Sequence, residues 1–261
     1  MGIADLFSLH GRVALVTGAA GAMGSQVVTG LAESGADVAC VDLTEELASR
    51  AAKRVQECGR RVIALRADVS ATAEAEAAVH RTVETFGRID VLVNTAGFSS
   101  HIPAEDFPDE QWDLEIGVNL KGTFNFCRAV GRQMIKQGRG SIINFSSIAG
   151  AVALGRGQAA YCAAKGAINN LTRELALEWA THGVRVNAVM PCQILTPGLM
   201  SMLDDPQFDR DKLMATWLDN IPIRRFGQPD EIVGPVLFLA SDAASLVTGH
   251  CLAVDGGYLA R

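Results

Sequence analysis

The chain has 261 residues, 49% of them hydrophobic, and carries a formal net charge of −6. This acidic balance argues against nucleic-acid binding, and no apolar run is long enough to predict a membrane span. The six cysteines and five histidines lack the spacing of a metal site. We therefore expect no metal, and we expect free thiols in a reducing, cytoplasmic location.

Short apolar runs alternate along the chain with longer amphipathic stretches. The runs are rich in Val and Ile and mostly continuous, which is typical of strands buried on both faces of a parallel sheet. We predict strands at 12–17, 37–42, 61–66, 90–94, 141–146, 184–190 and 251–255, and helices at 23–34, 44–58, 72–86, 109–137, 158–181 and 229–240. The alternation predicts a single α/β domain over residues 1–261, with a doubly wound, seven-stranded parallel sheet and helices on both faces.

A glycine-rich segment, VTGAAGAMG at 16–24, follows the first strand and opens the next helix. Its glycines allow a tight turn and a close approach to a pyrophosphate, as in a Rossmann dinucleotide site. Asp42 ends the second strand, where a carboxylate can bind both hydroxyls of an adenosine ribose. Alternatively, Asp42 caps the helix that follows. Neither Ala20 nor Leu43 offers a cation for a 2′-phosphate, so the segment predicts NAD.

A long segment at 195–225 interrupts the alternation after the sixth strand. It contains three prolines and Trp217. Ligands of open α/β sheets bind beyond the carboxyl ends of the strands, so we predict a substrate lid here. The alternative is a surface excursion whose hydrophobic helix packs on the core.

Tyr161 and Lys165, in the segment YCAAK, lie four residues apart and therefore on one face of a predicted helix. They could be a chance pair on a solvated face. Alternatively, the charge of Lys165 lowers the Tyr161 pKa from about 10, so that the phenol transfers protons near neutral pH.

Together, TGAAGAMG, NTAG at 94–97, SS at 146–147, YCAAK and VDGG at 254–257 resemble the short-chain dehydrogenases/reductases over nearly the whole chain. The sequence is most similar to the NAD-dependent branch that acts on sugars, sugar acids and polyols. The resemblance implies hydride transfer between NAD(H) and a secondary alcohol or ketone. It also implies a homotetramer that uses the C-terminal region for subunit contacts. The alternatives are a steroid, quinone or acyl-thioester ketone as substrate, or a non-catalytic dinucleotide-binding protein.

The resemblance also assigns roles to individual residues. Tyr161 is implied as general acid/base, Lys165 as its activator and ribose ligand, and Asn119 as the residue that positions a relay water. Ser147, with Ser146 as the competing assignment, is implied to hold the substrate oxygen. The implied cofactor contacts are Gly18, Gly21, Met23, Gly24, Asp42, Leu43, Asp68, Val69, Asn94, Ala96, Gly97, Tyr161, Lys165, Pro191, Ile194 and Thr196.

Substrate contacts are expected, by position, from Ser99, His101, Ser147, Arg156, Gln158, Tyr161, Gln193 and Trp217. Arg156 and Gln158 could bind hydroxyls or a carboxylate, or could be solvated loop residues. Two residues depart from the family pattern. Ala22 stands where the pattern has glycine, and Cys192 stands where it has the glycine of a Pro-Gly pair.

Overall fold

The computed structural model describes residues 2–204 and 209–261. Seven parallel strands form one sheet in the order β3-β2-β1-β4-β5-β6-β7, which confirms the predicted α/β architecture. The strands are β1 (Val13–Thr17), β2 (Asp37–Asp42), β3 (Val62–Arg66), β4 (Val91–Asn94), β5 (Gly140–Phe145), β6 (Val184–Pro191) and β7 (Cys251–Val254). The order reverses between β1 and β4, so the loops after these two strands diverge and leave a cleft.

Helices cover both faces of the sheet. They are α1 (Ile3–Phe7), α2 (Ala22–Glu33), α3 (Glu45–Glu57), α4 (Thr72–Phe86), α5 (Asp109–Ile116), α6 (Thr123–Gln137), α7 (Ala159–Trp179), α8 (Pro197–Leu203), α9 (Arg210–Asp219) and α10 (Val233–Ala240). One apolar cluster lies under α2, α3 and α10, and a second lies under α4, α6 and α7. Within the described residues, no helix is both long enough and apolar enough to cross a membrane.

Three segments differ from the sequence prediction. The single helix expected at 109–137 is interrupted by a π-helical turn at Gly117–Gly122. The helix expected from 229 begins as a 3₁₀ turn at Pro229–Ile232, and α1 was not predicted. A π turn and a 3₁₀ turn change the hydrogen-bond register of a helix, while the apolar periodicity that predicts the helix continues through them.

The segment at 195–225 contains two helices, α8 and α9, within its described part; residues 205–208 of the expected lid lie outside the described residues. The two helices enclose a small apolar cluster of Leu203, Trp217, Ile221 and Phe226. The Trp217 and Phe226 rings meet edge to face, with centroids 6.2 Å apart. The segment is therefore a packed unit beside the carboxyl end of β6, and its action as a lid stays a prediction.

Candidate active site

The glycine-rich loop at the end of β1 is packed too tightly for side chains. Gly18 has a left-handed backbone with φ of 62°, and a methyl group there would lie 2.8 Å from the Ala96 backbone. A methyl group on Gly24 would overlap the Gly18 carbonyl oxygen. The loop thus leaves a smooth backbone cradle, which fits the close approach of a pyrophosphate.

Helix α2 points its N-terminus into this cradle. Gly21 is the N-cap, and no acidic residue lies in the first turn. The free N–H groups and the positive end of the helix dipole are therefore available to bind an anion, because no nearby carboxylate occupies them. Ala22, the departure from the family pattern, is the first helical residue. Its backbone conformation suits alanine, so this departure leaves the cradle intact.

A cavity of about 490 Å³ continues from the cradle over the ends of β2 and β3. At its edge, the Asp42 carboxylate accepts hydrogen bonds from Ala20 N and Leu43 N, both at 2.8 Å. The helix that follows is capped instead by Thr44, whose hydroxyl accepts from Leu47 N at 3.2 Å. Asp42 is therefore a fixed carboxylate on the cavity wall, and the helix-cap alternative is wrong.

Sequence reasoning missed a cation in this cavity. Arg50, in the second turn of α3, lines the same wall and donates from Nη2 to the Ala20 carbonyl oxygen at 3.4 Å. The structure places Arg50 on the same face of α3 as Leu47, which also lines the cavity, and the sequence alone gave no signal for this. The expectation of a wall without a cation considered only positions 20 and 43, and it does not hold for the cavity as a whole.

A second cavity, of about 460 Å³, adjoins the first and shares Gly97 and Phe98 with it. Ser147 and Tyr161 both line this second cavity. Ser146 Oγ donates to the Lys165 carbonyl oxygen at 3.0 Å, whereas Ser147 Oγ accepts from Ala149 N at 3.2 Å and shares the cavity lining with Tyr161. Ser146 is thus committed to the backbone, and the geometry favours Ser147 over Ser146.

Burial changes the pKa values of both members of the YCAAK pair. Burial raises the Tyr161 pKa, and the neighbouring Ser147 side chain acts in the opposite direction. Burial also lowers the Lys165 pKa to about 8. Lys165 Nζ lies 5.3 Å from the Tyr161 ring centroid and donates to the Phe145 carbonyl oxygen at 2.8 Å. The Tyr161 pKa is therefore raised, where the sequence predicted a lowering, because burial is the largest cause of the shift and Lys165 is not among its causes.

Asn119 lies in the π turn and is fully buried. Its Nδ2 donates to the carbonyl oxygens of Phe98 and Glu115, at 2.9 and 3.0 Å. Its Oδ1 has no hydrogen-bond partner in the part of the chain that the structure describes, and it faces Gly97. The π turn thus holds an amide beside the strand end from which both cavities open, which agrees with the frequent placement of π turns at functional sites.

Every expected substrate residue lines the second cavity, including His101. Gln158 Nε2 donates to Ser99 Oγ at 2.7 Å. Cys192, the other departure from the family pattern, also lines this cavity, and burial raises its pKa to about 11. The Cys192 thiol is therefore protonated at neutral pH, and its effect on the cavity is one of shape.

Most expected cofactor residues line one of the two cavities. Those on the first are Gly18, Gly21, Asp42, Leu43, Asp68, Val69, Ala96 and Gly97, and those on the second are Met23, Gly97, Tyr161, Pro191, Ile194 and Thr196. Gly24 and Lys165 are in neither of the two cavity linings. Asn94 is not in either lining, because its Nδ2 donates to Asn144 Oδ1 at 2.9 Å between β4 and β5.

Comparison with known proteins agrees with this geometry. A family model described as "Enoyl-(Acyl carrier protein) reductase" matches residues 18–259. The chain belongs to the short-chain dehydrogenase/reductase family. A 2-dehydro-3-deoxy-D-gluconate 5-dehydrogenase of Dickeya dadantii is 39% identical, over 99% of this chain and 100% of that protein. An NAD-dependent glycerol dehydrogenase of Listeria innocua is 40% identical, over 97% of this chain and 95% of that protein.

A solved structure supports the same relationship. It is a gluconate 5-dehydrogenase from Burkholderia cenocepacia in complex with NADP and tartrate, with 35% identity, a TM-score of 0.92 and full coverage of both chains. As a member of this family, the protein is an oxidoreductase that acts on CH–OH groups with a nicotinamide dinucleotide. The glycine cradle, the helix N-terminus and the Asp42 carboxylate fit such a cofactor.

The cradle can be tested with two glycine substitutions. Gly24→Ala should weaken NAD(H) binding about tenfold or more, because the new methyl group overlaps the Gly18 carbonyl and moves the loop. Gly234→Ala, in α10, is the control, since nothing lies within 4 Å of the added methyl. Calorimetric titration with NADH measures the affinity. Equal affinities in the two variants would show that the loop does not hold the cofactor.

The buried ammonium of Lys165 should make stability depend on pH. Its pKa is about 8 when folded and about 10.5 when unfolded, so between these values the unfolded chain binds more protons. The free energy of unfolding should therefore rise from pH 7.5 to 9.5, by about 2 kcal/mol more than in Lys165→Met. Urea unfolding of both proteins at the two pH values isolates this contribution. Parallel pH profiles would contradict it.

Proposed function

We propose that the protein transfers a hydride between NAD(H) and a secondary alcohol or ketone of a sugar, sugar acid or polyol. The observation that carries the proposal is the lining of the second cavity, where Ser147 and Tyr161 lie with the polar side chains of Ser99, Gln158 and Gln193. Several fixed donors and acceptors suit a substrate with many hydroxyls. A steroid, a quinone or a long acyl chain would leave them unpaired, at a substantial free-energy cost.

The proposed division of labour follows from the contacts of each side chain. The nicotinamide, when bound, supplies the hydride acceptor or donor. Ser147 and Tyr161 line the same cavity, so the Ser147 hydroxyl can hold the reacting oxygen, and Tyr161 takes or gives that oxygen's proton. Lys165 supplies a positive charge beside the phenol. Asn119 is buried next to Gly97, where its unpaired oxygen can hold a relay water.

The proposed preference for NAD over NADP depends on two opposing charges. The Asp42 carboxylate lies at the adenosine cavity and would repel a 2′-phosphate, while the exposed Arg50 guanidinium on the same wall would attract it. Two backbone N–H groups hold Asp42, whereas Arg50 has one long hydrogen bond. The fixed anion should outweigh the solvent-screened cation, so NAD is preferred by a margin that Arg50 narrows.

We also propose a homotetramer in the cytoplasm. β7 is an edge strand of the sheet, and all six cysteines are free. An edge strand exposes unpaired backbone groups, which a second subunit can cover. Multi-angle light scattering at micromolar concentration should give four times the chain mass of 27.6 kDa. A monomer would contradict the proposed assembly without affecting the chemistry.

Replacement of the proton-transferring group tests the reaction. Tyr161→Phe should lower kcat at least about a hundredfold, because general acid–base catalysis typically contributes 10²–10⁴-fold. NADH affinity should stay within a fewfold, since the ring is kept. The control is Tyr258→Phe, which alters the other tyrosine of the chain. The assay is NADH production with a panel of polyols, sugar acids and simple secondary alcohols. Turnover within a fewfold of the parent would remove Tyr161 from the mechanism.

Cofactor choice can be tested with two charge changes. Asp42→Ala should narrow the NAD:NADP affinity ratio about tenfold or more, through lost ribose hydrogen bonds and relieved repulsion. Arg50→Gln should widen the ratio about two- to fivefold, since an exposed charge contributes less than ~1 kcal/mol. Arg54→Gln, one turn further along α3, removes the same charge away from the cavity lining and serves as control. Dissociation constants of both cofactors at one ionic strength are the measurement.

A further inference from the structure

Arg156 is held in the second cavity by aromatic and amide contacts. It precedes α7 and is half-buried, with its guanidinium carbon 4.5 Å from the ring centroid of Trp217. With the Gln193 amide turned so that its oxygen faces Arg156, that oxygen accepts from Nη1 at 2.7 Å and from Nη2 at 3.2 Å. Trp217 and Gln193 are themselves buried. The guanidinium therefore rests on rigid, neutral partners.

The loop that carries Arg156 is also fixed. Gly157 has a left-handed backbone with φ of 66°, and its carbonyl oxygen accepts from Ile102 N at 2.8 Å. A methyl group on Gly157 would lie 2.9–3.0 Å from the Ile102 backbone, so the two loops are in close contact. His101 Nδ1 lies 3.2 Å from the Arg156 carbonyl oxygen. The position of Arg156 is thus set before any ligand binds.

The charge of Arg156 is not neutralised within the described residues. Across 2–204 and 209–261, Arg156 forms no ion pair. The described lining of the cavity contains neither Asp nor Glu. Burial lowers the Arg156 pKa, which reflects the loss of water around the guanidinium. A partly desolvated cation without a counter-ion is unfavourable, and a bound anion would relieve it.

The form of the anion follows from the geometry. A guanidinium presents parallel N–H donors that match the two oxygens of a carboxylate. A phosphate dianion would call for a second cation, and Arg156 is the only Lys or Arg in the described lining. A neutral polyol could accept hydrogen bonds from Arg156 but would leave its charge uncompensated. A carboxylate therefore fits the site best.

We propose that the substrate is a polyhydroxy acid, whose carboxylate binds Arg156 on the platform of Trp217 and Gln193 while a secondary hydroxyl lies at Ser147 and Tyr161. This inference rests on the proposed function and narrows it, since the relatives include both an enzyme named for a sugar acid and one named for a neutral polyol. In this proposal Arg156 determines the preference for a sugar acid over a neutral polyol.

The experiment compares matched pairs of one carbon skeleton: D-gluconate with D-glucitol, and D-galactonate with galactitol. We expect the parent to oxidise at least one acid with a kcat/KM at least about tenfold above that of its alditol. Arg156→Gln should lower the kcat/KM for the acid about ten- to a hundredfold, mainly through KM, which reduces the preference. Arg156→Lys should recover part of the preference for the acid, because lysine keeps the positive charge but lacks the paired N–H donors of the guanidinium.

Arg128→Gln provides the matched control. Arg128 is also half-buried and also lies over an aromatic ring, that of Phe124 at 5.3 Å, but it is not in the cavity lining. Its acid-to-alditol ratio should equal that of the parent. NADH binding by each variant reports whether the fold and the cofactor site are intact. If Arg156→Gln does not fold, Arg156→Lys takes its place in the comparison.

A binding measurement separates failure of this inference from failure of the proposed function. D-Gluconate and D-glucitol are titrated calorimetrically into Tyr161→Phe with NADH present, and then into the double variant with Arg156→Gln. Binding of the acid that is lost with Arg156 supports the inference even if no panel member is turned over. Alditols oxidised as well as their acids, or acid binding that is unchanged without Arg156, would overturn the inference while leaving the hydride-transfer proposal in place.

Discussion

The site depends on the junction between the end of β5 and the helix α7. Lys165 forms it twice: its ammonium donates to the Phe145 carbonyl, and its own carbonyl accepts from Ser146 Oγ. A methyl group on Gly150 would lie only 2.6 Å from that same Lys165 carbonyl, so strand end and helix are in close contact. Ser147, on the strand side, and Tyr161, on the helix side, are brought together by this junction. Such rigid support is what a positioned acid/base pair requires.

The junction is also where burial and chemistry conflict. Desolvation disfavours the charged forms of both Lys165 and Tyr161. The Lys165 ammonium is held by its hydrogen bond to Phe145 O, and it lies 5.3 Å from the centroid of the Tyr161 ring. Perturbed pKa values that cluster beside a cavity are typical of functional sites, where stability is partly given up for reactivity.

Among the described residues, each of the two cavities is lined by one arginine, but the surroundings of the two arginines differ. Arg50 is exposed to water and lies beside the Asp42 carboxylate, so its charge is screened. Arg156 is half-buried and lies beside neutral groups, so its charge is screened much less. Arg50 is thus expected to attract an anionic group of the cofactor only weakly, whereas Arg156 is expected to attract an anionic group of the substrate strongly.

Much of this arrangement could be predicted from sequence because its signals are local. The continuous apolar runs predict buried strands, and the glycines after β1 predict the cradle. The interruption of the helix at 117–122 and the position of Arg50 depend on tertiary packing, which periodicity does not report. The pKa of Tyr161 was predicted in the wrong direction, because spacing on a helix gives the distance to Lys165 but says nothing about burial.

The strand order described above has a consequence for the growing chain. β1, β2 and β3 can pair once residue 66 has left the ribosome, yet the other edge of β1 stays open until β4, which begins at residue 91, has also left it. That open edge becomes the centre of the finished sheet. During synthesis this edge is apolar and its backbone groups are unpaired. Such edges promote aggregation of nascent chains and are bound by chaperones. The reversal of strand order that opens a cleft in the native protein thus leaves an edge of β1 unpaired until β4 has formed.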